Sequence, residues 1–263
     1  MNETLNINEI GRVEVSFTEH GSGQPVLLLH GGAGPISVVP WAELLAHTRP
    51  ARVITPTHPG FGGTPRPGAL TSIPSLARVY AALIIKLGLD GASVIGNSIG
   101  GWIAAELALV APTRISSLVL VDAVGIEVPH HAVADPFSMP FDELRRLSYH
   151  DPERFRIDTS KFSPEQKAIM AANFAALKVY GSVMDPSLRA RLSAIALPTL
   201  VLWGESDRVA DPDYGRAYAQ AIAGAQFRLL YGSGHVPQVE TPELLANAIW
   251  PFVTGHAPRR ANE

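Results

Sequence analysis

The stretch Ala92-Ser93-Val94-Ile95-Gly96-Asn97-Ser98-Ile99-Gly100-Gly101 decides the fold. An apolar run leads into a glycine-serine-glycine turn, and the turn opens a helical pattern over 99–110. Strand, tight turn and helix in that order are the setting a nucleophile elbow requires. Gly96 and Gly100 leave room for a bend so sharp that Ser98 takes an unusual backbone conformation and lifts its hydroxyl clear of the sheet. The helix start then points unpaired N–H groups and partial positive charge at any anion forming beside Ser98. The plainer alternative is a serine capping a helix after a glycine turn.

Outward from this turn, strands are expected at 13–17, 25–30, 52–56, 93–96, 117–121, 199–203 and 226–231. Most are continuous apolar runs, such as Val26-Leu27-Leu28-Leu29 and Leu118-Val119-Leu120-Val121, as strands buried on both faces should be. Residues 13–17 alternate instead and read as an antiparallel edge strand. Helical spacing occupies 40–48, 73–89, 99–110, 212–223 and 242–253. The alternation predicts an α/β fold, a mostly parallel sheet with helices on both faces. From 128 to 196 the rhythm breaks into helical segments at 141–149, 163–180 and 186–195 with no convincing strand. The chain therefore divides into a core domain, 1–127 and 197–263, and a helical cap, 128–196, laid over the carboxyl edge of the sheet where ligands bind in open α/β folds.

Composition bounds the function. The 263 residues are 46% apolar and can bury a full core. Charged residues make up only 17%, and 21 basic against 24 acidic side chains leave a net charge of −3. That is no footprint for nucleic acid or an anionic membrane, so the expected partner is a small molecule. The absence of cysteine excludes disulfides, thiolate metal sites and a cysteine nucleophile. No apolar run approaches the roughly 20 residues a membrane span needs. The first ten residues are polar and do not read as a signal peptide, so a cytoplasmic location is expected.

A serine hydroxyl needs a base, and the base needs an orienting carboxylate. Of nine histidines, His235 lies in the glycine-rich loop Gly232-Ser233-Gly234-His235-Val236-Pro237, between a strand and a helix. Asp207 stands just past the strand at 199–203, giving the chain order Ser98, Asp207, His235 expected of this architecture. Asp122, directly after the strand at 117–121, is the rival acid, and Glu205 ranks third. His130 and His131 have no metal-ligand spacing to complete a site, and neither metal nor cofactor is assigned. An oxyanion needs preorganised donors. His30-Gly31-Gly32-Ala33-Gly34-Pro35 follows an apolar strand, so an N–H of Gly32 or Ala33, with that of Ile99, would form the hole.

The chain resembles the α/β-hydrolase family, particularly bacterial serine hydrolases with a helical cap. The resemblance rests on His30-Gly31-Gly32, Pro59-Gly60-Phe61-Gly62, Gly96-Asn97-Ser98-Ile99-Gly100-Gly101, Trp203-Gly204-Glu205-Ser206-Asp207 and Gly234-His235-Val236-Pro237. It implies an eight-stranded sheet with the cap inserted after the sixth strand, Ser98 as nucleophile, His235 as base and Asp207 as its orienter. Many relatives have aspartate where this chain has Thr57. The neighbouring His58 either faces the pocket or hydrogen-bonds its own loop. Gly31, Phe137, Met139, Phe162, Phe174, Met184 and Val236 are the remaining substrate-binding candidates, and the cap aromatics could equally be the cap's own small core.

Epoxide hydrolases and haloalkane dehalogenases of similar layout attack with aspartate, and position 98 is serine. The main expectation is a carboxylic ester hydrolase for small or medium esters, a monomer or homodimer working through an acyl-enzyme. The first alternative is carbon–carbon hydrolysis as in the meta-cleavage product hydrolases, which the Gly-Asn-Ser-Ile-Gly-Gly string and the double glycine after His30 resemble. Many of those enzymes carry tryptophan after the catalytic histidine, where this chain has Val236. A second alternative is a ligand-sensing receptor on the same fold.

Overall fold

A computed structural model describes residues 1–180 and 184–258 of the chain. Its eight strands are β1 (Asn2–Ile7), β2 (Gly11–Gly21), β3 (Gln24–Leu29), β4 (Ala51–Pro56), β5 (Ala92–Asn97), β6 (Ile115–Val121), β7 (Thr199–Gly204) and β8 (Gln226–Leu230). They form one sheet in the order β1-β2-β4-β3-β5-β6-β7-β8. From β4 to β8 every neighbouring pair is parallel, whereas β2 runs antiparallel to both β1 and β4.

The apolar runs bury both faces of these strands. Val26 and Leu28 of β3 join one core layer with Ile95, Val119, Leu200 and Leu202, covered by α1 (Val39–Thr48) and α8 (Pro242–Gly255). Leu27 and Leu29 point the other way, into a layer with Leu118, Leu120, Val201 and Trp203 beneath α2 (Ile73–Lys86), α3 (Ile99–Val110) and α7 (Pro212–Gln220). The period-2 geometry of a strand makes one run serve both layers.

One strand escaped the sequence pattern. β1 falls in the polar N-terminal stretch; of its own residues only Leu5 is buried, and the Cα partner of Leu5 across the ladder is Val13. Residues 13–17 are therefore not the edge of the sheet; they lie within β2, and β1 outside them forms the edge. Burial of a single side chain leaves too little contrast for a strand to be read.

Between β6 and β7 lie α4 (Phe141–Ser148), α5 (Pro164–Val179) and α6 (Leu188–Arg191). Ser163 begins α5 with a reciprocal capping box to Gln166, and Pro164 occupies the first turn where its missing N–H does no harm. Tyr180 Oη donates to the carbonyl of Pro59 at 2.7 Å, and Arg191 forks onto the buried Glu106 of α3 at 2.6 and 2.7 Å. These three bonds fasten the helical stretch to a loop and a helix of the sheet region. No helix among the described residues is long and apolar enough to cross a membrane.

Candidate active site

Ser98 stands between β5 and α3 with φ 57° and ψ −122°. A non-glycine residue held there carries strain of about 1–3 kcal/mol and persists only where its surroundings enforce it. They do so through close approach. A Cβ on Gly96 would lie 2.1 Å from the Gly100 carbonyl oxygen, and one on Gly100 would lie 2.2 Å from that of Leu29. Neither position admits a side chain, so the tight turn and its strained serine are built by the two flanking glycines.

The serine faces an ordered chain of partners. Its Oγ is 2.9 Å from Nε2 of His235, and Nδ1 of His235 is 2.8 Å from Oδ2 of Asp207. The Asp207 carboxylate can only accept, so Nδ1 carries a proton and Nε2 is left to accept from the serine hydroxyl. Asp207 is fixed in turn, its Oδ1 accepting from the backbone N–H of Val209 at 2.8 Å and of Ala210 at 3.1 Å. Imidazole and carboxylate are both buried, while Ser98 remains half-buried and reachable. The arrangement can take a proton from the serine and return it to a leaving group. Of the three acids weighed from sequence, Asp207 contacts the histidine; Glu205 instead accepts from the N–H of Gly232, and Asp122 lies behind Asp207.

The glycine loop after β3 lies against the serine. A Cβ on Gly31 would be 3.2 Å from that of Ser98, and one on Gly32 would meet Leu177 of α5 at 3.2 Å. The loop that carries Gly32 and Ala33 thus starts against Ser98, and Ile99 follows Ser98 at the first turn of α3. A buried histidine pair braces the loop. Nδ1 of His30 donates to the Gly31 carbonyl at 2.8 Å, while its Nε2 accepts from the N–H of His58 at 3.1 Å. His58 donates from Nε2 to the His30 carbonyl at 2.9 Å and bonds the Tyr80 hydroxyl through Nδ1. Fully buried and with both nitrogens engaged, His58 is a loop brace and not a residue turned towards a substrate. Burial holds His30 down to about 4 and His58 well below the usual histidine range, the latter helped by its neighbour His30.

The other candidates are dispersed. Phe137 and Phe174 meet edge-to-face at 4.9 Å, with Phe174 45% exposed. Met139, Phe162 and Val236 are half-buried, and Met184 bridges to Gly125. Asp122, Asp207 and His235 offer atoms within 4.8 Å of one another, as do His131, Asp211 and Asp213. In the first trio a cation would have to break the 2.8 Å histidine–aspartate bond; in the second, Asp211 already caps α7.

Three residues that the sequence did not single out hold the site together. Asn97 donates to the carbonyl of His235 at 3.0 Å; it sits inside the serine motif, where a polar side chain before the nucleophile was the available signal. Asn173 of α5 donates to the Ala33 carbonyl at 3.0 Å and accepts from the Gly62 N–H at 2.7 Å, clamping two glycine loops. Glu240 accepts from the N–H of Gly234 at 2.6 Å, His150 at 2.8 Å and Asp151 at 3.3 Å.

With sheet, elbow and hydrogen-bonded trio in place, the class is defined. The family model of the alpha/beta hydrolase family matches residues 26–248, and the chain belongs to that family. It is 30% identical to 2-hydroxy-6-oxo-2,4-heptadienoate hydrolase of Pseudomonas putida, over 89% of this chain and 93% of the relative. It is 28% identical to 2-hydroxy-6-oxo-6-(2'-aminophenyl)hexa-2,4-dienoic acid hydrolase of Metapseudomonas resinovorans, over 94% and 90%. Among solved structures, a thermophilic esterase from Thermogutta terrifontis superposes with a TM-score of 0.73 at 25% identity, covering 98% of this chain and all of that one.

Proposed function

We propose that this hydrolase cleaves a carbon–carbon bond in a 2-hydroxy-6-oxo-2,4-dienoate, with Ser98 as nucleophile, His235 as base and Asp207 as the group that orients it. The observation that carries this reading is near full-length similarity to two hydrolases named for such dienoates, joined to the Ser98–His235–Asp207 geometry. The substrate is the enol of a vinylogous diketone. Moving the enol proton to C5 gives the diketone form. Ser98 then attacks the C6 ketone while His235 takes the hydroxyl proton, and N–H groups of Ile99 and of Gly32 or Ala33 receive the oxyanion. Collapse breaks C5–C6, the electron pair spreads to the oxygen on C2, and the imidazolium returns its proton there. Water then releases the acyl group as a carboxylic acid, and the second product is a 2-hydroxydienoate.

Ester hydrolysis, the main sequence expectation, uses the same parts with an alkoxide leaving group. The esterase-like structure at 25% identity favours it as the second reading. The two were not separable from motifs, because elbow, base and acid are common to both and the scissile bond is chosen by groups that hold the remote end of the substrate. We further assign residues 128–196 as a cap on a core of 1–127 and 197–263; the bonds from Asn173, Tyr180 and Ser148 to loops at the carboxyl edge support this division. The partner is a small molecule.

The test compares kcat/KM for 2-hydroxy-6-oxohepta-2,4-dienoate with that for p-nitrophenyl acetate and butyrate, with Ser98→Ala as control. Preference for the dienoate by about tenfold or more is expected; the reverse ranking moves the assignment to an esterase. Ser98→Ala should lower turnover of either substrate by about 10⁶-fold with the fold intact.

A further inference from the structure

Asp122, the first residue after β6, is fully buried and takes no part in the steps above. Its φ of 47° lies in the left-handed region, which aspartate enters more readily than most residues. One carboxyl oxygen, Oδ1, accepts from the N–H of Gly204 at 2.7 Å. The other, Oδ2, is buried without a hydrogen-bond donor among the described residues. What it faces is a second acid. Asp122, Asp207 and His235 present atoms within 4.8 Å of one another, so the Asp122 carboxyl lies beside that of Asp207.

Burying the Asp122 carboxyl this close to another carboxylate disfavours its charged form, and among the described residues no lysine or arginine pairs with either. The donors decide which of the two is left the poorer acceptor. Asp207 already receives three N–H groups, from Val209, Ala210 and His235, whereas Asp122 receives one, from Gly204. Burial first, then Asp207, push the Asp122 carboxyl well above the usual carboxylate range; Glu240 adds to this and the Gly204 N–H opposes it.

We propose that Asp122 is a positioning residue for the Asp207–His235 pair: its carboxyl carries a proton at neutral pH and donates it in a hydrogen bond to Asp207. The strained backbone and the Gly204 bond aim the acid, and the donated bond holds the Asp207 carboxylate in line with Nδ1 of His235 while drawing negative charge away from it. The proposal rests on the serine–histidine–aspartate reading and not on which bond is cleaved.

Asparagine mimics a protonated aspartate, since its amide can accept from Gly204 and donate to Asp207. Asp122→Asn should therefore keep kcat within about threefold of wild type with an unchanged acid limb of the kcat/KM profile. Asp122→Ala should lose about tenfold or more in kcat with little change in KM. Its acid limb should move to higher pH, because the unshielded Asp207 favours protonated imidazole. Infrared difference spectra should show a protonated-carboxyl C=O stretch that disappears in Asp122→Asn, a readout that does not depend on the alanine variant folding. Loss in Asp122→Asn as large as in Asp207→Asn would overturn the proposal, as would wild-type kcat and acid limb in Asp122→Ala, absence of the infrared band, or a stoichiometric divalent cation in the purified protein. Undiminished turnover in Ser98→Ala would instead remove the reading beneath it.

Discussion

The backbone N–H of His235 donates to the carbonyl oxygen of Ser148 at 2.7 Å, so the last residue of α4 holds the histidine loop directly. The final carbonyls of a helix lack partners within it, and here one of them is satisfied by the loop that carries the histidine. Glu240 reinforces the join by accepting from Gly234 on one side and from His150 and Asp151 on the other. Glu240→Ala leaves the buried Gly234 N–H without an acceptor and should lower the unfolding free energy by about 2 kcal/mol. Urea denaturation checks this, and a change under about 0.5 kcal/mol, within the range of surface substitutions, would contradict it.

Asp207→Asn should be severe while leaving the fold unchanged. An asparagine that keeps the bonds from Val209 and Ala210 through its oxygen turns its NH₂ towards Nδ1 of His235. The imidazole must then carry its proton on Nε2, where it can no longer accept from Ser98. A fall in kcat of about 10⁴-fold is expected, the size seen when a triad acid is replaced in this way. Steady-state kinetics alongside circular dichroism tests it; a loss under tenfold would move the acid elsewhere.

The core strands and the three residues of the hydrogen-bonded trio were legible because each declares itself locally. Apolar runs mark strands buried on both faces, and Ser98, Asp207 and His235 each follow one within a few residues. The clamps were not legible, because their partners are remote in the chain. Asn173 bonds Ala33 across 140 positions and Glu240 bonds His150 across 90, and no local pattern reports such a pair. The Asn173 position carried a further disguise: the adjacent Phe174 drew attention as an aromatic, yet it is the exposed residue and Asn173 the buried one. His58 was readable as a histidine near the site but not as one whose two nitrogens are both consumed by Tyr80 and His30.

The His30–His58 pair sets a pH limit on stability. Both histidines are held neutral by burial, His30 at about 4 and His58 well below its usual value. In the unfolded chain each returns to about 6.5, so between those values the unfolded state binds more protons and acid favours unfolding. The pair's own contribution should be full above about pH 6.5 and be lost as pH falls towards 4, about 3 kcal/mol of it at His30, while the raised Asp122 carboxyl, which binds its proton in the fold and not in the unfolded chain, offsets one of the two histidines and leaves a net decline. His131, raised by its bond to Asp211, works in the opposite direction but lies at the surface where solvent screens it. The lowered aspartates, Asp142, Asp158, Asp185 and Asp211, lose their contributions only below the ordinary carboxylate range and so act outside this window. Urea unfolding at pH 7, 5.5 and 4.5 should show the decline, and His58→Gln should make it shallower; equal stability at all three would contradict the assignment.

Asn173 should matter to rate more than its distance along the chain suggests. Its amide uses both ends, the NH₂ on the Ala33 carbonyl and the oxygen on the Gly62 N–H, and Leu177 one turn further on covers Gly32. The loop so clamped is the one proposed to supply an oxyanion donor, and such donors work only when held in place beforehand. Removing a donor outright costs about 10²–10³ in kcat, so loosening its loop should cost less, about tenfold in Asn173→Ala. Asn173→Asp should do worse, because a carboxylate cannot donate to the Ala33 carbonyl and sets negative charge beside the loop that must receive an oxyanion. Both losses should fall on kcat and spare KM, since the loop acts on charge that develops only after the serine attacks. A rise in KM at constant kcat would instead place Asn173 in ground-state binding.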